Sequence, residues 1–113
     1  LHTLAEFAAL ISCGGVDFPE PDLTTCGGIT PWMKVGHLAD AHGFPVTSHG
    51  AHDIHVHLLA ASPNNAYLEI HGFGMNPYIE QSLEIREGIA TAPDRPGHGM
   101  EFNWSFLEKF RLS

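Results

Sequence analysis

Amphipathic helical stretches alternate with short extended runs through the first 74 residues, and this alternation constrains the fold more than any other feature. Thr3-Leu4-Ala5-Glu6 is a capping box, in which the hydroxyl takes an orphan amide and Glu6 reaches back. Leu4, Phe7, Ala8 and Ile11 then share one helical face, and Gly14-Gly15 ends the helix. Val16 to Asp22 reads as a strand running out into a loop, because Pro19 and Pro21 hold the backbone extended without amide donors. Thr30-Pro31 is expected to cap a second helix, with Trp32, Val35, Leu38, Ala39 and His42 at helical spacing and Gly43 as its stop. Pro45 to Gly50 forms the next extended run. Asp53 to Ala61 follows as a helix stopped by Ser62-Pro63, and Ala66 to Ile70 is a third extended run. Short connections between such units predict an α/β fold of parallel strands with crossover helices. Successive units of a (β/α) barrel and an open doubly wound sheet read alike here.

Beyond Gly74 the pattern changes. Leu83–Arg86 and Ile89–Thr91 flank Glu87-Gly88, a hairpin signal. Pro93 to Gly99 is a loop, and Ser105-Phe106-Leu107-Glu108 reads as a capping box opening a short terminal helix. The expected organisation is therefore β/α units over 1–74 and a C-terminal tail over 75–113.

The 113 residues carry a net charge of −8 with only five Lys and Arg, so no basic patch exists to neutralise nucleic-acid phosphates. No apolar run approaches the roughly 20 residues of a membrane span. Cys13 and Cys26 make no disulfide framework and suit reduced thiols in a cytoplasmic protein. The chain opens on Leu1 with neither an initiator methionine nor a signal peptide, and so reads as cut at its start.

Three acid/base residues fall at the ends of the three extended runs: Asp22, His49 and Glu69. Parallel barrels assemble active sites at one rim in this way. Histidine both takes and gives a proton near neutrality, and a carboxylate on its far nitrogen fixes the tautomer. Glu69, one run further on, is placed to hydrogen-bond a substrate oxygen on which charge develops, acting as a neutral acid. The same three residues also read as ordinary polar positions at strand ends.

The chain resembles the C-terminal part of the mandelate racemase/muconate lactonising enzymes of the enolase superfamily. The resemblance is carried by 21–30 (Pro-Asp-Leu-Thr-Thr-Cys-Gly-Gly-Ile-Thr), 45–49 (Pro-Val-Thr-Ser-His), 57–61 (His-Leu-Leu-Ala-Ala), Leu68-Glu69 and 93–99 (Pro-Asp-Arg-Pro-Gly-His-Gly), and covers Ala5 to about Phe110. It implies the C-terminal portion of a (β/α)7β TIM-type barrel, truncated to about three β/α units plus the tail. The implied chemistry is abstraction of the proton α to a carboxylate, giving an enediolate held by one Mg2+. By the same resemblance His49 is the general acid/base, Asp22 its partner and Glu69 the enediolate hydrogen-bond donor. No metal ligand is expected in this chain, since the family's three metal carboxylates lie on earlier strands, upstream of Leu1. The expected parent is a cytoplasmic, homo-oligomeric Mg2+-dependent dehydratase of a sugar acid, an aldonate or aldarate, with a racemase, epimerase or cycloisomerase as the alternative. The fragment alone is expected to be inactive.

Other readings compete. Asp53-Ile54-His55-Val56-His57 is similar to the metal strand of amidohydrolases and offers a metal-dependent hydrolase, but its helical continuation favours histidines that diverge. His52 and His55 then read as solvated or as supporting residues, Trp32 as core, His71 and Phe73 as pocket lining, and His98 as structural. Thr25 stands where some members of the family carry a basic residue. A folding or assembly segment with no activity is the non-enzymatic alternative.

Overall fold

The computed structural model describes residues 1–72 and 74–112. Helix α1 spans Leu4–Ser12, α2 Ile29–Ala41 and α3 His52–Ala60. The capping box on α1 forms as the sequence requires: Glu6 N donates to Thr3 Oγ1 and Thr3 N donates to Glu6 Oε2. Both α1 and α2 end in Schellman motifs. Gly15 N reaches Leu10 O and Phe44 N reaches Ala39 O, with Gly14 and Gly43 at positive φ between them.

Helix α2 starts two residues earlier than Thr30-Pro31 suggests. Its cap position is Gly28, at φ 101°, and no side chain caps it. Two successive glycines at φ near 100° turn the chain into the helix by backbone alone. Pro31 then falls inside the first turn, where a missing amide leaves no helical bond unmade.

The three runs predicted as strands are extended, but they do not form a regular ladder. Among the described residues they are joined by a single parallel bridge, Val46 to Asn65, with Val46 N on Asn64 O, Ala66 N on Val46 O and Thr47 N on Pro19 O. The run at 45–49 therefore lies between the other two. Pro19 and Pro21 explain the sparse bonding on one side, since neither has an N–H to offer.

From Phe18 onward side chains alternate across this layer. Pro19, Pro21, Val46 and Ser48 are buried on the helix side. Phe18 and Tyr67 are exposed, their rings 6.1 Å apart. The core beneath the layer joins Phe7 and Ile11 of α1, Trp32, Val35 and Ala39 of α2, Val46, and Leu58 and Leu59 of α3. Trp32 is fully buried, and its Nε1–H donates to Pro21 O at 2.7 Å, which pins the exit of the first run to α2.

In the tail, β1 (Glu84–Arg86) pairs antiparallel with β2 (Ile89–Thr91). Glu87 at φ 50° and Gly88 at φ 80° give the primed turn that a two-residue hairpin requires. Helix α4 spans Trp104–Leu107. Its cap is Asn103 and not Ser105: Asn103 Oδ1 accepts from Phe106 N and from Ser105 Oγ. Asparagine two residues before the expected box starts the helix earlier and takes the Phe106 amide, so the Ser105 hydroxyl becomes a donor to it. Cys13 is exposed, Cys26 is buried, and both are free thiols. No helix among the described residues is long and apolar enough to cross a membrane.

Trp32→Phe leaves Pro21 O without its buried donor and shrinks the core. It is expected to destabilise the chain by about 2 kcal/mol in urea denaturation followed by circular dichroism, whereas loss of less than a few tenths would show that the indole does not hold the loop.

Candidate active site

Asp22, His49 and Glu69 come together at one end of the extended layer. Asp22 is held by its own turn. Thr24 donates to Asp22 Oδ1 from both N and Oγ1, each at 2.8 Å, and Cys26 N bonds Asp22 O. That leaves Asp22 Oδ2 facing His49 Nδ1 at 3.4 Å, a long hydrogen bond. The Asp22 carboxyl is largely buried. Burial alone would raise its pKa, but the two bonds from Thr24, the bond to His49 and the nearby His55 outweigh it and hold the pKa below the usual value. An ionised Asp22 can only accept, so the His49 Nδ1 carries a proton, and in the neutral tautomer this selects the lone pair is on Nε2. His49 is about half exposed.

Glu69 is tied to the same turn. Its Oε2 accepts from Gly50 N at 2.6 Å, and its own N donates to Ser48 Oγ. Gly50 sits at φ 66°, and a Cβ there would come within 3.1 Å of Asp22 Oδ2. Glycine is thus required both by the backbone and by the approach of the carboxylate. A cleft of about 340 Å3 bounded by Phe18, Glu20, Thr47, Tyr67 and Glu69 opens beside the site. A second cavity of similar size, between α3, residues 65–70 and the hairpin, contains none of the three acid/base groups.

One residue that holds this arrangement reads from the sequence only as solvated or supporting. His55 is fully buried on α3. Its Nε2 accepts from Leu23 N at 3.0 Å and its Nδ1 faces Gly50 O at 2.9 Å. An acceptor at Nε2 requires a neutral ring with the proton on Nδ1, donated to Gly50 O. A single imidazole therefore links the loop that follows Asp22 to the turn that follows His49. It packs beside Trp32, with centroids 6.1 Å apart. His52 is also buried, against Asp53 at 3.5 Å, and its Nδ1 accepts from His71 N. Both histidines support the site from within, and neither is solvated. A His six residues after a strand-end His, on the inward face of the next helix, was the available signal. The Asp-x-Thr turn at 22–24 was another.

The Asp53-x-His55-x-His57 metal strand does not form, because the segment is helical. His55 is committed to Leu23 and Gly50, while His57 Nε2 bonds His98 O on the tail. Among the described residues a different trio converges. One ligand atom each from His49, Glu69 and His71 lie within 4.8 Å of one another. The His49 and His71 rings meet edge to face at 5.7 Å. Phe73, grouped with His71 as pocket lining, lies outside the described residues.

Burial lowers the His55 pKa from its ordinary 6.5, with the bond to Gly50 O and the Asp22 charge opposing in part. The unfolded chain therefore binds a proton at His55 that the folded chain refuses, and stability falls as pH drops below about 6.5 toward the folded value. Asp22, with a lowered folded pKa, adds a further loss only in the acid range below its ordinary 3.8. Melting temperature followed from pH 8 to 5 should decline below neutrality, and His55→Gln should flatten that decline while lowering stability throughout. An unchanged slope in the variant would assign the pH dependence to other groups.

The sequence matches the family described as Enolase C-terminal domain-like over residues 1–106. It is 43% identical over 112 residues to the 3,6-anhydro-alpha-L-galactonate cycloisomerase of Streptomyces coelicolor, covering 99% of this chain and 31% of that protein. It is 38% identical to the L-talarate/galactarate dehydratase of Salmonella typhimurium, covering 93% of this chain and 26% of that protein. In three dimensions it superposes on a racemase from Streptomyces coelicolor with bound magnesium at a TM-score of 0.89 and 39% identity, over 96% of this chain and 30% of that one. The L-talarate dehydratase of Polaromonas complexed with Mg and L-glucarate gives 0.87 and 34%, over 96% and 30%. The chain thus spans less than a third of the length of these relatives, and its α/β architecture corresponds to the C-terminal part of their barrels. It belongs to the enolase superfamily, as a member of the Enolase C-terminal domain-like family.

Proposed function

We propose that this chain carries the acid/base half of a site that dehydrates a sugar acid, with 1–74 supplying the catalytic β/α units and 75–113 a tail. The observation that carries the reading is the contact of His49 with an ionised Asp22, with Glu69 fixed to the adjoining turn. The His49 Nε2 lone pair takes the proton from the carbon α to the substrate carboxylate, and Asp22 stabilises the imidazolium that results. The β carbon–oxygen bond then breaks, and the His49 imidazolium gives its proton to the departing hydroxyl, which releases water and restores the neutral ring. Glu69 Oε2 is already committed to Gly50 N, so Oε1 is the oxygen that donates to the substrate carboxylate as charge develops there. His55 moves no proton, because both of its nitrogens are occupied by backbone.

Magnesium, present in the two structural neighbours, would act as a Lewis acid toward the substrate's charge. The His49, Glu69 and His71 set does not fit it, because Mg2+ demands near-octahedral hard oxygen ligands. Three extended segments also cannot close a barrel, so the 113 residues by themselves are proposed to give no turnover.

The substrate class rests on the relatives, which include an L-talarate/galactarate dehydratase and an L-rhamnonate dehydratase. A cycloisomerisation using the same proton transfer is the second reading, favoured by the 43% identity to a cycloisomerase. A chimera separates the two. With this chain in place of the corresponding segment of the Streptomyces cycloisomerase, and Mg2+ present, aldonates, aldarates and anhydro-sugar acids would be screened for product. His49→Asn is expected to reduce the rate by about 10²–10⁴-fold, the usual worth of a positioned acid/base. Full activity in His49→Asn would remove the imidazole from the mechanism. Product from the anhydro substrate alone would select the cycloisomerase reading.

A further inference from the structure

We propose that His49, Glu69 and His71 form a binding site for a borderline divalent metal such as Zn2+, distinct in chemistry from any magnesium site. Two imidazoles and one carboxylate are the donors that zinc takes in open three-ligand sites, and they are wrong for Mg2+. The three ligand atoms already lie within 4.8 Å of one another. Bonds of about 2.0–2.1 Å bring tetrahedral ligands to roughly 3.3 Å apart. His49 and Glu69 are exposed and His71 half-buried, so modest side-chain rotation closes the gap.

The surroundings supply what a metal-binding imidazole and carboxylate need. Histidine ligands commonly donate their second ring N–H to a carboxylate, which fixes the tautomer and raises basicity. Asp22 does this for His49 at Nδ1, leaving Nε2 for the ion. Gly50 N holds Glu69 through Oε2, leaving Oε1 for the ion. The backbone of His71 is held by its N–H on the buried His52. The fourth position opens toward solvent, where water or an anionic oxygen completes the tetrahedron. An ion seated there covers the lone pair that proton abstraction uses, so zinc and substrate would compete. That corollary rests on the proposed function, whereas the binding itself does not.

Zinc titration into the metal-stripped 113-residue chain tests this without any activity assay. Calorimetry at neutral pH should give one site, and the imidazole nitrogen signals of His49 and His71 should shift together at one equivalent. His49→Ala, His71→Ala and Glu69→Gln should each weaken binding at least tenfold with the circular dichroism spectrum unchanged. Asp22→Asn should weaken it about 10–100-fold, the usual effect of removing a ligand's supporting carboxylate. His57→Ala and Cys13→Ser should bind as the parent does, and millimolar Mg2+ should leave both ring signals in place. Absence of zinc binding overturns the proposal. So does binding that survives the His49 and His71 substitutions, or binding lost in His57→Ala, which would restore the hydrolase-type reading of residues 53–57. Because nothing here is read as catalysis, failure of this test leaves the proton-transfer reading standing, and failure of the chimera leaves the metal site standing.

Discussion

The geometry of the site depends on one uncharged, buried imidazole. The Asp22 loop and the His49 turn belong to neighbouring extended runs with little direct bonding near their ends. His55 joins them through Leu23 N and Gly50 O, and the Trp32 indole fastens Pro21 O from below. Desolvation keeps the ring neutral, and only the neutral ring can accept at one nitrogen and donate at the other. The same burial that costs the chain a protonation state therefore supplies the bridge. A carboxylate at this position could not donate, and an ammonium could not accept.

The layer that carries the site is irregular for a definite reason. Two prolines in the first run remove donors along its contact with the second, so register there rests on Thr47 N to Pro19 O. Side-chain bonds take over where the ladder is thin: Glu69 N to Ser48 Oγ and Gly50 N to Glu69 Oε2 tie the third run to the second. Alternation still sorts the residues. Pro19, Pro21, Val46 and Ser48 face the helices, and Phe18, Glu20, Tyr67 and Glu69 face away. Phe18 and Tyr67 remain exposed on that outer face.

Much of this was legible in the residues. The three main helices, the two glycine stops and the hairpin follow from patterns that act within a few positions. The approach of Asp22, His49 and Glu69 followed from the order of units, because parallel runs bring like ends to one rim. The helical reading of 53–57 already makes its histidines diverge; what the sequence does not show is where each points, His55 inward to Gly50 O and His57 toward His98. The caps at Gly28 and Asn103 each lie two residues before the expected one: a glycine pair starts α2 without a side-chain cap, and Asn103 takes the Phe106 amide.

The electrostatics of the rim set a condition on any acidic substrate. The chain carries −8, and four of its five Lys and Arg are engaged elsewhere: Arg86 with Glu84, Arg111 with Glu108, Arg95 with Gln81, and Lys109 over Phe106, while Lys34 is exposed on α2. Thr25, beside Asp22, brings no charge. Asp22, held ionised, lies against His49, so an anion arriving there meets a carboxylate. The positive charge that the chain itself can bring to this cluster is a protonated His49 or His71 ring, and a protonated His49 cannot also act as the base. Binding a sugar carboxylate and abstracting its α-proton therefore make opposite demands on one ring. A separate cation resolves the conflict, and in the magnesium-containing relatives one is present. Under the proposed function, such a cation would leave the His49 imidazole free of charge balance and able to take the proton.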